Sequence, residues 1–172
     1  MRALVVTVSN RAAAGVYEDR SGPVLVTGLT ELGFEVDGPQ VVPDGEPVEA
    51  ALRTAIASSS YDVVITTGGT GFTGRDVTPE AVEPLFEKRM EGFSAVFHRI
   101  SYDKIGTSTV QSRATAGVAG ATYIFVLPGS PCACKDAWDG ILAAQLDYRH
   151  RPCNFVEIMP RLDEHLRRGG VS

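Results

Sequence analysis

Residues 63–86 read VVITTGGTGFTGRDVTPEAVEPLF. The segment YDVVITT (61–67) is short, β-branched and almost continuously apolar, which predicts a strand buried on both faces. It runs into TTGGTGFTGRD, which holds four glycines and four threonines, with no bulk except Phe72. Thr78 then predicts a helix cap, with Pro79 in the first turn and Glu80 near the positive end of the helix dipole. Pro84 shortens that helix. A buried strand, a glycine loop and a helix in succession is the unit of a parallel α/β sheet.

The flanking sequence repeats the alternation. RALVVTVS (2–9) predicts a strand, and EDRSGPVLVTGLTELGF a helix capped by Asp19 or Ser21, started near Pro23 and stopped at Gly33. FEVDGPQVVPDGE predicts an interrupted strand ending in a Pro43–Asp44–Gly45 turn. In EPVEAALRTAIASSS, Val48, Leu52, Ala55 and Ile56 share one helical face. GFSAVFHRISYDKIG (92–106) predicts a helix, whereas TSTVQSRATAG (107–117) is polar and carries no clear period. TYIFVLPG predicts a buried strand, and SPCACKDAWDGILAAQLDYRH one long helix with Ser130 as cap and Pro131 in its first turn. The tail RPCNFVEIMPRLDEHLRRGGVS predicts a short strand, a break at Pro160 and a last helical turn. The expected architecture is a three-layer α/β/α sandwich with a mostly parallel sheet, in a single domain over 1–172.

Composition narrows the function. The 172 residues are 44% hydrophobic and 22% charged, with a formal net charge of −5. That balance argues against a general nucleic-acid binder, which needs a basic excess, but allows one bound phosphate ligand. No apolar run reaches the roughly 18 residues of a membrane span, and no signal sequence opens the chain. Three cysteines, Cys132, Cys134 and Cys153, suggest reduced thiols and a cytoplasmic setting. CAC lacks a second cluster to complete a metal site, and His98, His150 and His165 show no ligand spacing.

In parallel sheets, ligands bind beyond the carboxyl ends of the strands. Here those ends carry Ser9–Asn10–Arg11, Asp44, the glycine loop and Pro128–Gly129–Ser130. Glycines let backbone N–H groups converge on an anion, and the helix starting at Thr78 aims its N-terminus at the same place, so a phosphate is the natural guest. GTGFTG (69–74) matches G-x-G-x-x-G, yet it follows the third strand and its helix opens four residues late for a dinucleotide fold. GTGFTGRD also misses the Lys and hydroxyl residue of a P-loop. A carboxylate beside a phosphate cradle is repelled unless a cation intervenes. Asp76, with Asp44, is therefore a candidate Mg²⁺ site, since magnesium is held by one or two carboxylates together with substrate phosphates. Arg75, Arg113 and Lys135 are candidate counter-charges, Lys135 reading better as a solvated side chain.

The segments ITTGGTG…RDVTPEA, DRSGP, VVPD, SRATAG and LPGSP resemble the molybdenum-cofactor biosynthesis proteins of the MogA/MoaB type, related to the G domains of gephyrin and its plant counterpart. RPCNF (151–155) resembles the MoaB branch, and the likeness runs from about residue 3 to residue 156. The resemblance implies a molybdopterin adenylyltransferase that uses ATP and Mg²⁺ to place AMP on the molybdopterin phosphate. It implies Asp76 and Asp44 as catalytic and metal-binding residues. Gly68, Gly69, Thr70, Gly71, Pro79, Glu80, Ser112, Arg113, Pro128, Gly129 and Ser130 would be the nucleotide and pterin contacts. It also implies a homo-oligomer, trimer or hexamer. The alternatives are a non-catalytic molybdopterin-binding oligomer, and a different nucleotide enzyme such as a nucleotide-sugar pyrophosphatase or a dinucleotide-dependent oxidoreductase. Two departures stand out: Asn10 where relatives often carry Asp, and SPCAC after the Pro-Gly turn.

Overall fold

The computed structural model describes residues 1–167. Its strands are β1 (Arg2–Val8), β2 (Glu35–Val42), β3 (Val63–Thr67), β4 (Lys88–Arg89), β5 (Thr115–Ala119) and β6 (Thr122–Leu127). They form one sheet in the order β2-β1-β3-β6-β5-β4. The pairs β1·β2, β1·β3 and β3·β6 are parallel, while β5·β6 and β4·β5 are antiparallel. Helices are α1 (Asn10–Ala13), α2 (Gly22–Glu31), α3 (Glu46–Ser58), α4 (Thr78–Val82), α5 (Glu91–Ile105), α6 (Pro131–Ala137), α7 (Ala143–Gln145), α8 (Phe155–Ile158) and α9 (Glu164–Arg167). No described helix is long and apolar enough to cross a membrane.

The pleat turns the apolar strands into two cores. Ala3, Val5, Val63, Ile65, Phe125 and Leu127 pack on one face with Leu25 and Leu29 of α2, Phe93 and Phe97 of α5, and Cys134 of α6. Leu4, Val6, Val64, Ile124 and Val126 pack on the other with Val48 and Leu52 of α3 and Val82 of α4. Because successive side chains alternate faces, a strand buried on both sides must be apolar at nearly every position. This is the three-layer sandwich the alternation predicts.

Its details correct the reading in four places. The polar segment 107–117 divides into a 3₁₀ turn, Gly106–Gln111, and the start of β5. β5 carries a glycine where a neighbouring ring sits: a Cβ at Gly117 would collide with Phe86. β4 is two charged residues on the antiparallel edge, too short to read from sequence, and its charges discourage edge-to-edge pairing. The long helix stops at Gln145, passing from α6 to α7 through a π turn at Trp138–Leu142. The tail forms no strand among the described residues. Asn154 Oδ1 instead accepts from the Glu157 N–H at 3.0 Å and starts α8, which lays Phe155 against Tyr123 and Phe125.

The structure resolves one cap and changes another. Asp19 Oδ1 accepts from the N–H groups of both Ser21 and Gly22 at 3.0 Å, so the aspartate caps α2, while Ser21 Oγ donates to the Gly129 carbonyl. Thr78 does not cap α4 with its side chain. It is the first helical residue, its N–H donates to the Gly69 carbonyl at 3.0 Å, and its hydroxyl is buried against the glycine loop.

Where α2 crosses α6, a Cβ at Gly28 would collide with the indole of Trp138. Gly28→Ala is expected to destabilise the protein by about 1–3 kcal/mol through overpacking. A lowered urea midpoint with an unchanged m-value checks this.

Candidate functional site

β1 has β2 on one side and β3 on the other, so the crossovers leave it in opposite directions and open a crevice at its carboxyl end. A cleft of about 360 Å³ lies there. Its wall is built from the glycine loop, residues 68–71, with Asn10, Asp19, Asp44, Thr73, Arg75, Asp76 and Gly129. The loop reaches this position only because it lacks side chains. A Cβ at Gly68 would collide with the Val8 carbonyl of β1, and one at Gly69 with Thr78 Oγ1. Both residues have positive φ, 110° and 66°.

The two aspartates flank the loop. A Cβ at Gly69 would stand 2.8 Å from Asp44 Oδ1, and one at Gly71 would stand 2.8 Å from Asp76 Oδ2. Asp44 follows β2, and its N–H donates to Asn10 Oδ1 at 3.1 Å. Its carboxyl is pushed above the ordinary value of 3.8, first by burial and next by the negative charge of Asp76. Asp76 is held below 3.8, first by the Thr73 hydroxyl, which donates to Oδ2 at 2.5 Å, with the Thr73 N–H adding a second bond at 2.9 Å. One carboxylate is thus fixed as an anion while its neighbour resists ionisation. Bringing a cation between them relieves that conflict. Among the described residues no group of three or more His, Cys, Asp or Glu side chains could hold a metal. A metal here therefore needs ligand oxygens from elsewhere, as magnesium takes from substrate phosphates.

The remaining sequence candidates divide. Pro79, Glu80 and Arg113 line a neighbouring cavity of about 440 Å³ together with Glu83, Arg89 and His98. Ser112 borders Arg113, and its hydroxyl is buried without a hydrogen-bond partner. In the turn after β6, the Pro128 carbonyl accepts from Thr67 Oγ1 at 2.8 Å, Gly129 lines the cleft, and Ser130 Oγ caps α6 by accepting from the Ala133 N–H. Lys135 pairs with Asp139 at 2.8 Å on the surface, as its solvated reading expects. Burial lifts the Cys134 thiol to about 11, and Cys132 and Cys153 are exposed and free. Sequence reasoning placed Asn10 and Arg11 only generally at a ligand-binding strand end, and gave Asp19 and Thr73 no part in the cleft. Thr73 carried a legible signal, a hydroxyl three residues before a carboxylate, which is the spacing of a local side-chain to backbone turn.

A family model described as "Probable molybdopterin binding domain" matches residues 4–148. The chain is 48% identical over 155 residues to "Molybdenum cofactor biosynthesis protein B" of Escherichia coli, covering 90% of each. It is 46% identical over 136 residues to "Molybdopterin adenylyltransferase" of Pyrococcus furiosus, covering 76% of this chain and 79% of that one. The structure titled "tungsten cofactor synthesizing protein MoaB from Pyrococcus furiosus" superposes with a TM-score of 0.79 at 37% identity, over 94% of this chain and 96% of that one.

Asp44 supplies a test of the electrostatics. A carboxyl whose value is raised on folding contributes nothing below its unfolded value and destabilises the fold once pH passes its folded value. Asp44→Asn is therefore expected to raise the metal-free melting temperature at pH 7, on the order of 1–3 °C. The gain should vanish below about pH 4, where both forms are neutral. Differential scanning fluorimetry across pH, in EDTA, measures it.

Proposed function

The chain belongs to the MogA/MoaB family of molybdenum-cofactor biosynthesis proteins, and we propose that it is a molybdopterin adenylyltransferase. The observation that carries this reading is the cleft itself: a glycine loop at the switch point of the sheet, with Asp44 on one side and Asp76 on the other. The N–H groups of Gly69, Thr70 and Phe72 donate to no described protein group, so they are available to an anion.

The substrates proposed are ATP and molybdopterin. An oxygen of the molybdopterin phosphate attacks the α-phosphorus of ATP, the bond from that phosphorus to the bridging oxygen breaks, and pyrophosphate leaves. A phosphate monoester is already ionised at neutral pH, so the attack needs no general base. That suits a cleft whose lining residues include no histidine. The chain's work is then positioning and charge neutralisation. Loop amides hold phosphate oxygens, and exposed Arg75, which forms no ion pair with a described residue, faces the same cleft. Asp76 and Asp44 are the residues that would hold Mg²⁺. When bound, the ion neutralises the triphosphate and the charge that develops on departing pyrophosphate. Gly129 closes the cleft floor, and Pro79 and Glu80 on the far side of the loop are proposed as contacts of the pterin half. Tyr102 and Ile105 lie near one another on α5 and Val110 is exposed in the turn after it, and we propose this apolar end of α5 as part of the homo-oligomer face.

Asp76→Asn is expected to lower pyrophosphate release from ATP, molybdopterin and Mg²⁺ by roughly a hundredfold or more, the scale of losing one preorganised electrostatic group. Asp44→Asn should cost less. Near-normal turnover in Asp76→Asn refutes the metal role. Molybdopterin binding by the wild type without any pyrophosphate release selects the non-catalytic alternative.

A further inference from the structure

Arg113 was expected to neutralise substrate charge, but its guanidinium is turned into the protein. Nε donates to the Gly71 carbonyl at 3.0 Å and more weakly to that of Thr70, and Nη2 donates to the carbonyls of Gly71 at 2.8 Å and Asp76 at 2.6 Å. Nη1 pairs with Glu80, and the Phe72 ring lies beneath the group at 5.4 Å. The Arg113 N–H also donates to the Thr70 carbonyl, at 3.1 Å. Arg113 lines the neighbouring cavity and not the cleft of Asp44 and Asp76. A single side chain, distant in sequence, thus grips both ends of the loop that carries Asp76.

The consequence follows from peptide geometry. In a planar trans peptide, C=O and N–H point in opposite directions. Fixing the Thr70 carbonyl toward Arg113 turns the Gly71 N–H the other way, and Gly71 stands against the Asp76 carboxylate, since a Cβ there would lie 2.8 Å from Asp76 Oδ2. Fixing the Gly71 carbonyl does the same for the Phe72 N–H, which has no protein acceptor. A cradle for an anion needs its carbonyls drawn back and its amides forward, and the guanidinium fork draws these carbonyls back together. We propose that Arg113 is a positioning residue: by holding the carbonyls of Thr70, Gly71 and Asp76 on one side of the loop, it sets the Asp76 carboxylate and the loop amides for Mg·ATP on the other. This rests on the adenylyl-transfer reading. A lysine at this position keeps the charge but not the planar fork, and it cannot serve three carbonyls in a fixed arrangement.

The test is a double-mutant cycle read by binding as well as rate. ATP is titrated calorimetrically, with and without Mg²⁺, into the wild type, Arg113→Lys, Asp76→Asn and the double variant, and pyrophosphate release is followed in parallel. Arg113→Lys is expected to weaken ATP binding in Mg²⁺ by about tenfold and to raise half-saturating Mg²⁺ similarly, the lower end of what losing a support of a metal ligand costs. On the Asp76→Asn background the same change should cost clearly less, about threefold, because the part carried by the Asp76 carboxylate is already lost and only the loop-amide part remains. Equal losses on both backgrounds would mean that Arg113 meets the nucleotide directly and would overturn the proposal. So would a lowered melting temperature with unchanged Mg²⁺ dependence, which marks a merely structural role. If Arg113→Lys does not fold, Phe72→Ala removes only the exposed ring beneath the guanidinium and should give a weaker shift, about threefold, with the same dependence on Asp76. A wild type that binds no Mg·ATP removes the transfer reading itself, whatever the variants do.

Discussion

The close approach of a side-chain-free backbone to the end of β1 is the constraint on which the site depends. Gly68 lies against the Val8 carbonyl and Gly69 against Thr78 and Asp44, and neither position has room for a Cβ. With any other residue the loop would have to lift away from the sheet. The cleft would widen, the start of α4 would lose the Gly69 carbonyl that accepts its first N–H, and Asp44 would no longer face the loop. Gly129 adds a third glycine contact, since a Cβ there would stand 3.1 Å from the Cα of Gly68. Three strand ends therefore meet over backbone alone.

On that base the charges are arranged in opposition. Asp76 is fixed as an anion by Thr73, and its charge falls on Asp44, which burial already disfavours as an anion. Such an arrangement is unfavourable for the empty protein and favourable once a cation and polyphosphate are present. On the proposed adenylyl-transfer reading, the chain accepts this local penalty because the cleft is pre-shaped for a cation and a polyphosphate. The two cores on either side of the sheet are what make that penalty tolerable. They bury Val5, Val6, Ile65, Ile124 and Phe125 completely, and each such side chain is worth about 1.5–3 kcal/mol.

Much of this was legible in the chain. The apolar runs 2–9, 61–67 and 122–129 had to be strands covered on both faces, and that dictated a parallel sheet with helices above and below. Asp76 and the glycine loop declared themselves by composition and order. The antiparallel edge was not legible. β4 is two charged residues, and β5 is short and built mostly of small residues, its Gly117 placed against the Phe86 ring where a Cβ would collide. A glycine placed by a neighbour's bulk leaves no period in its own segment. The strand expected in the tail failed for a related reason: Phe155 packs onto the sheet's face through Tyr123 and Phe125 rather than joining an edge.

The sequence by itself determined the layers, the strand that ends in glycines and the acidic residue beside them, because these follow from local hydrophobic period and from the conformational freedom of glycine. Tertiary structure alone decided how the site candidates share the work. It separated Pro79, Glu80 and Arg113 from the cleft of Asp44 and Asp76, engaged Ser130 as a helix cap, and turned Arg113 from a presumed substrate contact into the clamp on three loop carbonyls. The reason is directional. Sequence shows that a guanidinium is near a loop, but which carbonyls it reaches depends on where β5 lies beside β6, and that is set by the packing of the whole sheet.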